Sequence, residues 1–460
     1  MSSRIFLPQR IRAPFGSAIT RYSHTMRSAI LFVAVVAACG GNHSPRAAET
    51  SYITIDADAV TTVRTLAADH HTPLEVIEVA GNVAIVAVPP SELEELSERM
   101  HAEHQRCGGF MVHESLEDAH AALRPAGPRP AMEYTLDRGD NVRAVLPALS
   151  ADVIHKTIGE LSAMKNRYFR SESGAAASAW LAQRWRSFTP RADVTIELFD
   201  HGYPQKSVIM TIPGTTRPDE VVVIGGHLDS ISPGGTSGSA PGADDDASGI
   251  ATLTEVARVL LAADFRPART VKFMAYAAEE VGLRGSLSIV KDYQKRGVNV
   301  VGVLQLDMTN YQGSDRDIWL IDDHTDRAQN TFLSQLIETY TDATWGVDRC
   351  GYACSDHASW TRAGVPASMP FESRFRQSNR EIHTTRDTLE MSGNNAAHAV
   401  KFARLGAAYA LELAKGDLGG AALTAADEPA SSSWWPLGWL GTLVALGVAG
   451  GLVKLRRRRA

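Results

Sequence analysis

The sequence predicts an α/β protein built on a mostly parallel sheet, with a small α+β unit in front of it. Three observations predict it. The runs VVVIGG, TVKFMAYA and NVVGVLQL have strand length and are almost continuously apolar, as strands buried on both faces must be. Amphipathic helical stretches, among them SGIATLTEVARVLLAA and RGSLSIVKDYQKRG, lie between them, and strands that alternate with helices pair in parallel through helical crossovers. Upstream the pattern is different: LEVIEVAGNVAIVAVP reads as two strands around the turn Gly81-Asn82. Ser91 is expected to cap the helix SELEELSERMHAEH, with Glu94 closing a capping box. The segment HQRCGGFMVH ends this unit, and Pro125, Pro128 and Pro130 form the link that follows.

Both ends of the chain read as sorting signals. Met26-Arg27-Ser28 precedes the apolar run Ala29–Ala38, a signal-peptide pattern too short to span a bilayer. Residues 1–48 are therefore taken as a targeting region, with the true start at Met26. The run ends VAAC, which puts Cys39 where a lipoprotein carries its lipid. An ordinary signal peptide ending near a cysteine is the alternative. Residues 417–433 are small and polar, as a flexible linker is. Trp434–Val453 is uncharged and long enough to cross a membrane, with Trp434, Trp435 and Trp439 at one end and Lys454 and Arg456–Arg459 at the other. Residues 434–460 are thus expected to be a transmembrane or sorting tail that leaves the rest of the chain outside the cell. Four arginines at one tip argue against a buried core helix. The tail resembles the sorting tails of some Gram-negative secreted hydrolases, with Ser431–Ser433 where those carry Gly-Gly.

Composition narrows the function. At 460 residues and 44% apolar, the chain can bury a large core. Its net charge of -6 gives no basic footprint, so nucleic acid is excluded as a partner. Four cysteines are too few for a disulfide-stapled scaffold.

The chemistry lies at the strand ends. VVVIGG runs into His227-Leu228-Asp229, TVKFMAYAA into Glu279-Glu280, and VVGVLQL into Asp307. Sites in open α/β sheets form beyond the carboxyl ends of the strands, so these groups should converge. Asp244-Asp245-Asp246 opens a helix just after Gly242. Taken singly, each piece has a plain explanation: aspartates at a helix start are usually caps, and a strand-end histidine is usually a loop residue. Together they would repel one another at buried positions unless cations neutralised them. Two histidines and three carboxylates without a thiolate suit zinc, with manganese or cobalt as substitutes. Five such groups exceed the needs of one catalytic zinc. With one carboxylate bridging they serve two metals about 3.5–4 Å apart.

The segments GGHLDS, APGADDDASG, FMAYAAEEVGLRGS, LQLDMTNY, CGYACSDHASW and EIHTTRDTL closely resemble the bacterial leucyl aminopeptidase family of co-catalytic di-zinc exopeptidases. The resemblance spans roughly residues 134–416. It implies a three-layer sandwich around a mostly parallel mixed sheet, with residues 131–416 as catalytic domain and 49–130 as an inhibitory propeptide cut near 125–135. It implies that His227 and Asp307 hold one Zn2+, Glu280 and His383 the other, and that Asp245 bridges them with a water. Glu279 would be the general base and Tyr352 an oxyanion donor. Asp229 would orient His227, and Asp387 is expected to orient His383 in the same way. His357 looks like a ligand but falls outside the family pattern. Met308, Ile321, Met369, Phe371, Phe375 and Ile382 match the side-chain pocket and predict a preference for large apolar N-terminal residues such as Leu. Ser378 replaces a rim tyrosine of close relatives. Cys350 and Cys354 are expected to pair, since their spacing permits a turn-spanning disulfide.

The expected partners are peptide substrates, an activating protease and a sorting peptidase for the tail. The expected form is a monomer, exported from a Gram-negative bacterium and secreted or held at its surface or outer membrane. Two other readings compete: a carboxypeptidase or deacylase of the same fold, and an inactive receptor-type domain. Lost ligands would mark the latter, and none is lost.

Overall fold

The computed structural model describes residues 50–124, 127 and 132–419. The N-terminal unit runs β1 (Ser51–Asp56), α1 (Val60–His70), β2 (Glu75–Ala80), β3 (Val83–Val88), α2 (Leu93–His104), β4 (Phe110–His113) and α3 (Leu116–Ala122). Its sheet is antiparallel with order β2-β3-β1-β4. The expected hairpin turns at Gly81-Asn82, where Gly81 takes the left-handed conformation that a side chain disfavours. Ile53, Ile55, Ala84, Val86 and Phe110 pack with Val63, Leu66, Leu96 and Met100 into a separate apolar core.

The expected capping box is not formed. Pro90 starts a 3-10 turn over Pro90–Glu92, and Glu92 becomes the N-cap of α2 without a side-chain bond. The prolines thus begin the helix differently from the serine-led pattern. Glu94 is free to accept a 2.7 Å hydrogen bond from Tyr168 in the second unit.

The second unit contains α4 (Gly139–Val145), α5 (Ala151–Ser162), α6 (Glu172–Arg186), β5 (Thr195–Phe199), β6 (Ser207–Ile212), β7 (Arg217–His227), α7 (Ala247–Ala262), β8 (Arg269–Tyr276), α8 (Arg284–Arg296) and β9 (Asn299–Gln305). It continues through β10 (Ile318–Ile321), α9 (Arg327–Tyr340), β11 (Trp345–Asp348), α10 (His357–Arg362), β12 (Ala367–Ser368), β13 (Pro370–Phe371) and α11 (Ala399–Ala414). The main sheet has the order β12-β9-β7-β8-β6-β5. Strands β12, β9, β7 and β8 are parallel, and β6 and β5 add an antiparallel edge. A smaller sheet, β11-β10-β13, was not expected from the sequence.

Neighbouring residues of a strand face opposite sides of the sheet. Val222, Ile224, Val271, Phe273 and Leu304 pack with residues of α5, α7 and α11 on one side. Val221, Val223, Met274, Tyr276 and Val303 pack with α8 and Trp360 on the other. Helices on both faces make the three layers. The chain leaves β7 through α7 to reach β8, then returns through α8 on the opposite face to β9. The strand order therefore reverses at β7, the place where such sheets open a crevice.

Residues 417–419, expected in the linker, are still bonded to this unit. Arg266 and Asp417 exchange backbone hydrogen bonds of 2.9 and 3.1 Å, and the Gly419 N–H reaches the Ala263 carbonyl at 3.0 Å. The targeting region and the expected transmembrane tail lie outside the described residues. Among the described residues no helix is long and apolar enough to cross a membrane.

Candidate metal centre

Parallel register delivers three ligand candidates to one place. His227 is the last residue of β7, opposite Tyr276 of β8, and Gly225 lies opposite Gln305 of β9. Glu279-Glu280 and Asp307 follow directly. Ala278 and Met308, beside these acids, and His383 itself adopt positive φ of about 57°. Such a backbone is unfavourable for residues with a side chain and persists only where its surroundings impose it.

The three adjacent aspartates have three different surroundings. Asp246 is the N-cap of α7: its Oδ1 accepts the Gly249 and Met308 N–H groups at 2.8 and 3.1 Å, and its Oδ2 accepts the His227 N–H at 3.0 Å. A side chain at Gly249 would stand 2.2 Å from the Leu306 carbonyl, so only glycine lets α7 start this close to β9. Asp244 accepts the Asn310 N–H at 3.3 Å and lies against Glu372. Asp245 points between the two histidines. Its Oδ1 is 2.9 Å from His227 Nε2, and its Oδ2 is 3.3 Å from His383 Nε2. The Asp245–Asp246 peptide bond is cis. Asp307 Oδ1 lies 3.6 Å from His227 Nε2, and Glu280 Oε2 lies 2.6 Å from His383 Nε2. The five expected ligands thus form two groups joined by Asp245, all at most 7% exposed.

The residues present fit a metal. Asp245 Oδ2, both Glu280 carboxylate oxygens and His383 Nε2 are buried without a hydrogen-bond partner. The Glu280–His383 approach is short, yet its angles are not those of a hydrogen bond. Atoms that converge this closely without bonding are placed as ligands of a common cation are. Burial, reinforced by Asp245, pushes the Glu280 carboxyl up to about 7. Burial also raises Glu279 well above the usual carboxylate range, against the pull of His227. Burial disfavours charge on both histidines, but Asp307 and Glu279 outweigh it at His227, and Glu280 does so at His383. A dication in this place would reverse that proton balance, holding the acids ionised and the imidazoles neutral. Nitrogen and oxygen donors suit zinc.

Supporting groups were legible only in part. Asp229 lies 3.5 Å from His227 Nδ1, which makes no hydrogen bond, and accepts the Glu279 and Glu280 N–H groups at 3.0 and 3.2 Å. Asp387 acts differently from the expectation. Its oxygens accept the Asp244 and Asp245 N–H groups, both at 3.1 Å, and His383 Nδ1 has no partner. Residues four apart share a face on a helix, but His383 to Asp387 is a turn. His357 is buried, and burial pushes it down to about 3. It belongs to none of the residue groups close enough to share a metal. Three residues were missed. Arg167 is fully buried and donates to the Leu228, Pro241 and Gly242 carbonyls at 2.9, 2.6 and 2.8 Å, so one cation ties the loops carrying Asp229 and Asp245. Burial raises Glu372 well above the carboxylate range and Asp356 to about 7. None of the three sits in a pattern that marks it in the sequence.

The six expected pocket residues do come together. Met308, Ile321, Met369, Phe371 and Ile382 form one buried cluster with Tyr352 and Cys354, and Phe375 packs on it. Cys350 and Cys354 form the expected disulfide. The N-terminal unit lies over this site. The Cys107 N–H donates to the Tyr352 hydroxyl at 2.8 Å, the His101 ring lies 4.5 Å from that of His383, and Ser97 donates to the Glu280 carbonyl at 2.6 Å.

Residues 207–407 match the model of peptidase family M28. Leucine aminopeptidase 1 of Uncinocarpus reesii is 38% identical over 286 residues, 59% of this chain and 71% of the relative. The chain belongs to peptidase family M28. It is therefore a peptide hydrolase of the metallo-aminopeptidase kind. Among solved structures, the LapA aminopeptidase of Legionella pneumophila is similar with a TM-score of 0.68 and 28% identity, covering 80% of this chain and 98% of that one. LapB of the same organism gives 0.69 and 29%, covering 80% and 100%. The sequence relatives include fungal enzymes, so the M28 likeness is not confined to the bacterial branch that the motifs resembled.

Proposed function

We propose that this M28 chain removes large apolar residues such as Leu from peptide N-termini, using two Zn2+ ions. In this reading His227 and Asp307 would hold one ion and Glu280 and His383 the other, with Asp245 shared between them. The observation that carries it is the Asp245 carboxylate, with one oxygen toward each histidine and its own backbone gripped by Asp387. When bound, the ions supply Lewis-acid chemistry: they make a water acidic and polarise the scissile carbonyl.

The chain supplies the rest. Glu279 takes the proton from the attacking water and later gives it to the leaving amine. Burial keeps the Tyr352 phenol protonated, so it is available as a donor to the oxyanion. The pocket around Met308, Ile321, Met369, Phe371, Phe375 and Ile382 receives the side chain, and the leucine in the relatives' name supports that preference. Ser378 leaves the rim more open than a tyrosine would.

In the same reading residues 49–130 are an inhibitory propeptide. Its contacts to Tyr352, His383 and Glu280 support this, because they stand where a substrate must enter. Export is supported by the signal-like run at Ala29–Ala38 and by the disulfide, which suits an oxidising compartment. The test uses the chain after removal of residues 49–130. Leucine p-nitroanilide should be hydrolysed and its N-acetylated form left intact, with two zincs per active chain. Cleavage of the blocked substrate, or one zinc at full activity, would overturn the reading.

A further inference from the structure

Cys107 is the one described cysteine outside the disulfide, and neither the fold nor the hydrolysis uses it. It does not belong to the apolar core of its own unit. It packs instead against the pocket cluster around Met308 and Tyr352. Its sulfur and ligand atoms of Asp245 and His383 all lie within 4.8 Å of one another.

Two kinds of observation turn this placement into a site. One is the effort with which the loop is held. The Cys107 N–H is bonded to Tyr352, and the Arg106 guanidinium lies 5.3 Å over the same ring. Arg106 is anchored in turn to Asp58 at 2.9 and 3.1 Å and to Asp56 at 3.5 Å. Gly108 and Gly109 follow with φ of 53° and 74°. Two successive left-handed residues make a tight turn that glycine alone adopts freely. A side chain at position 109 would meet Met100 at 2.7 Å. The other observation comes from the opposite unit and is independent of the loop. Asp245 Oδ2, Glu280 Oε1 and Oε2 and His383 Nε2 are unpartnered, come from residues more than nine-tenths buried, and belong to the same end of the centre.

We propose that Cys107 is a further metal ligand of the uncut chain: its sulfur bonds the ion held by Asp245, Glu280 and His383. The thiol loses its proton to solvent as the bond forms, since only the thiolate is a ligand. Sulfur then occupies the position that the attacking water needs. Removal of residues 49–130 exchanges the thiolate for water, so a single cut both uncovers the pocket and opens the metal. This rests on the metal reading above.

The test loads the metal-free, uncut chain with Co2+. The expected spectrum has visible d–d bands together with a near-ultraviolet thiolate-to-cobalt charge-transfer band. Cys107→Ser should lose the charge-transfer band and keep the d–d bands. The d–d bands without charge transfer in the natural chain, or a charge-transfer band that survives Cys107→Ser, would overturn the role of Cys107. Absence of both bands would instead sink the metal reading. A second measurement does not depend on the variant folding. Mass spectrometry should show Cys107 alkylated by iodoacetamide about tenfold or more slowly in the zinc-loaded chain than in the metal-free chain. Equal rates would refute the bond.

Discussion

Two sets of buried carboxylates in the α/β unit differ in how the chain treats them. Glu255 on α7 is 1% exposed, and both of its oxygens are saturated. Ser150 N–H and the Arg258 guanidinium donate to it at 2.7–2.8 Å. Glu412 on α11 is likewise buried and accepts the Asp137 and Arg138 N–H groups and the Tyr340 hydroxyl. Both serve the fold. At the strand ends Glu280 is as deeply buried, yet neither of its oxygens makes a hydrogen bond. The desolvation of an ion costs several kcal/mol wherever it occurs. A fold that completes the shell of one acid and leaves another open has set the second aside for something the chain does not contain. Burial alone marks neither set; the missing partners do.

The comparison breaks most easily at the open set. Glu280→Gln and Asp245→Asn should each abolish zinc retention and lower kcat/KM at least about a thousandfold, while the metal-free fold keeps its melting temperature or gains. Metal analysis and calorimetry on the same samples check both halves. Glu279→Gln should lower kcat by about 10²–10⁴, the usual share of a general base, with full zinc content. Loss of zinc in that variant would make Glu279 a ligand instead. Glu255→Ala sharpens the contrast from the other side. It removes the buried carboxylate that faces the Arg258 guanidinium and should lower stability by about 3–5 kcal/mol in denaturant titration, leaving kcat per folded molecule unchanged.

The smallest effect concerns pH. In the metal-free protein Glu280 is raised to about 7, and His227 and His383 are also raised. At these three groups the folded state then binds more protons than the unfolded chain, so their contribution to stability falls as pH rises from 5 to 8. Zinc displaces those protons and binds more tightly as pH rises. Its stabilising effect, read as the difference in melting temperature with and without chelator, should therefore be larger at pH 8 than at pH 5. An equal difference would mean that the cluster does not carry those protons.

What the sequence made legible follows the same division. The strands β7, β8 and β9 could be read because burial on both faces leaves no polar positions, and the acids at their ends stand out against that background. His227, Glu280 and Asp307 were singled out for that reason, whereas Asp245 and His383 came only from the family resemblance. Asp387 and Glu94 were misread because a spacing carries a meaning only on the right local structure, and neither the turn at His383–Asp387 nor the proline-led start of α2 supplied it. Glu372, Asp356 and Arg167 were invisible. Each owes its part to neighbours far along the chain, as Glu372 does to Asp244 and Tyr311. The three aspartates Asp244–Asp246 were separable in sequence only by resemblance; in the fold their hydrogen bonds separate them.

The grip of Asp387 on the Asp245 amide joins residues 142 positions apart. The remaining candidates arrive from three separate strand ends and a turn that follows β13. No short stretch of the unfolded chain holds even one complete set. The complete set therefore exists only once the parallel sheet has closed, a non-local and hence slow kind of pairing. A chain of this design has no metal site before it folds and draws its metal from wherever it finishes folding.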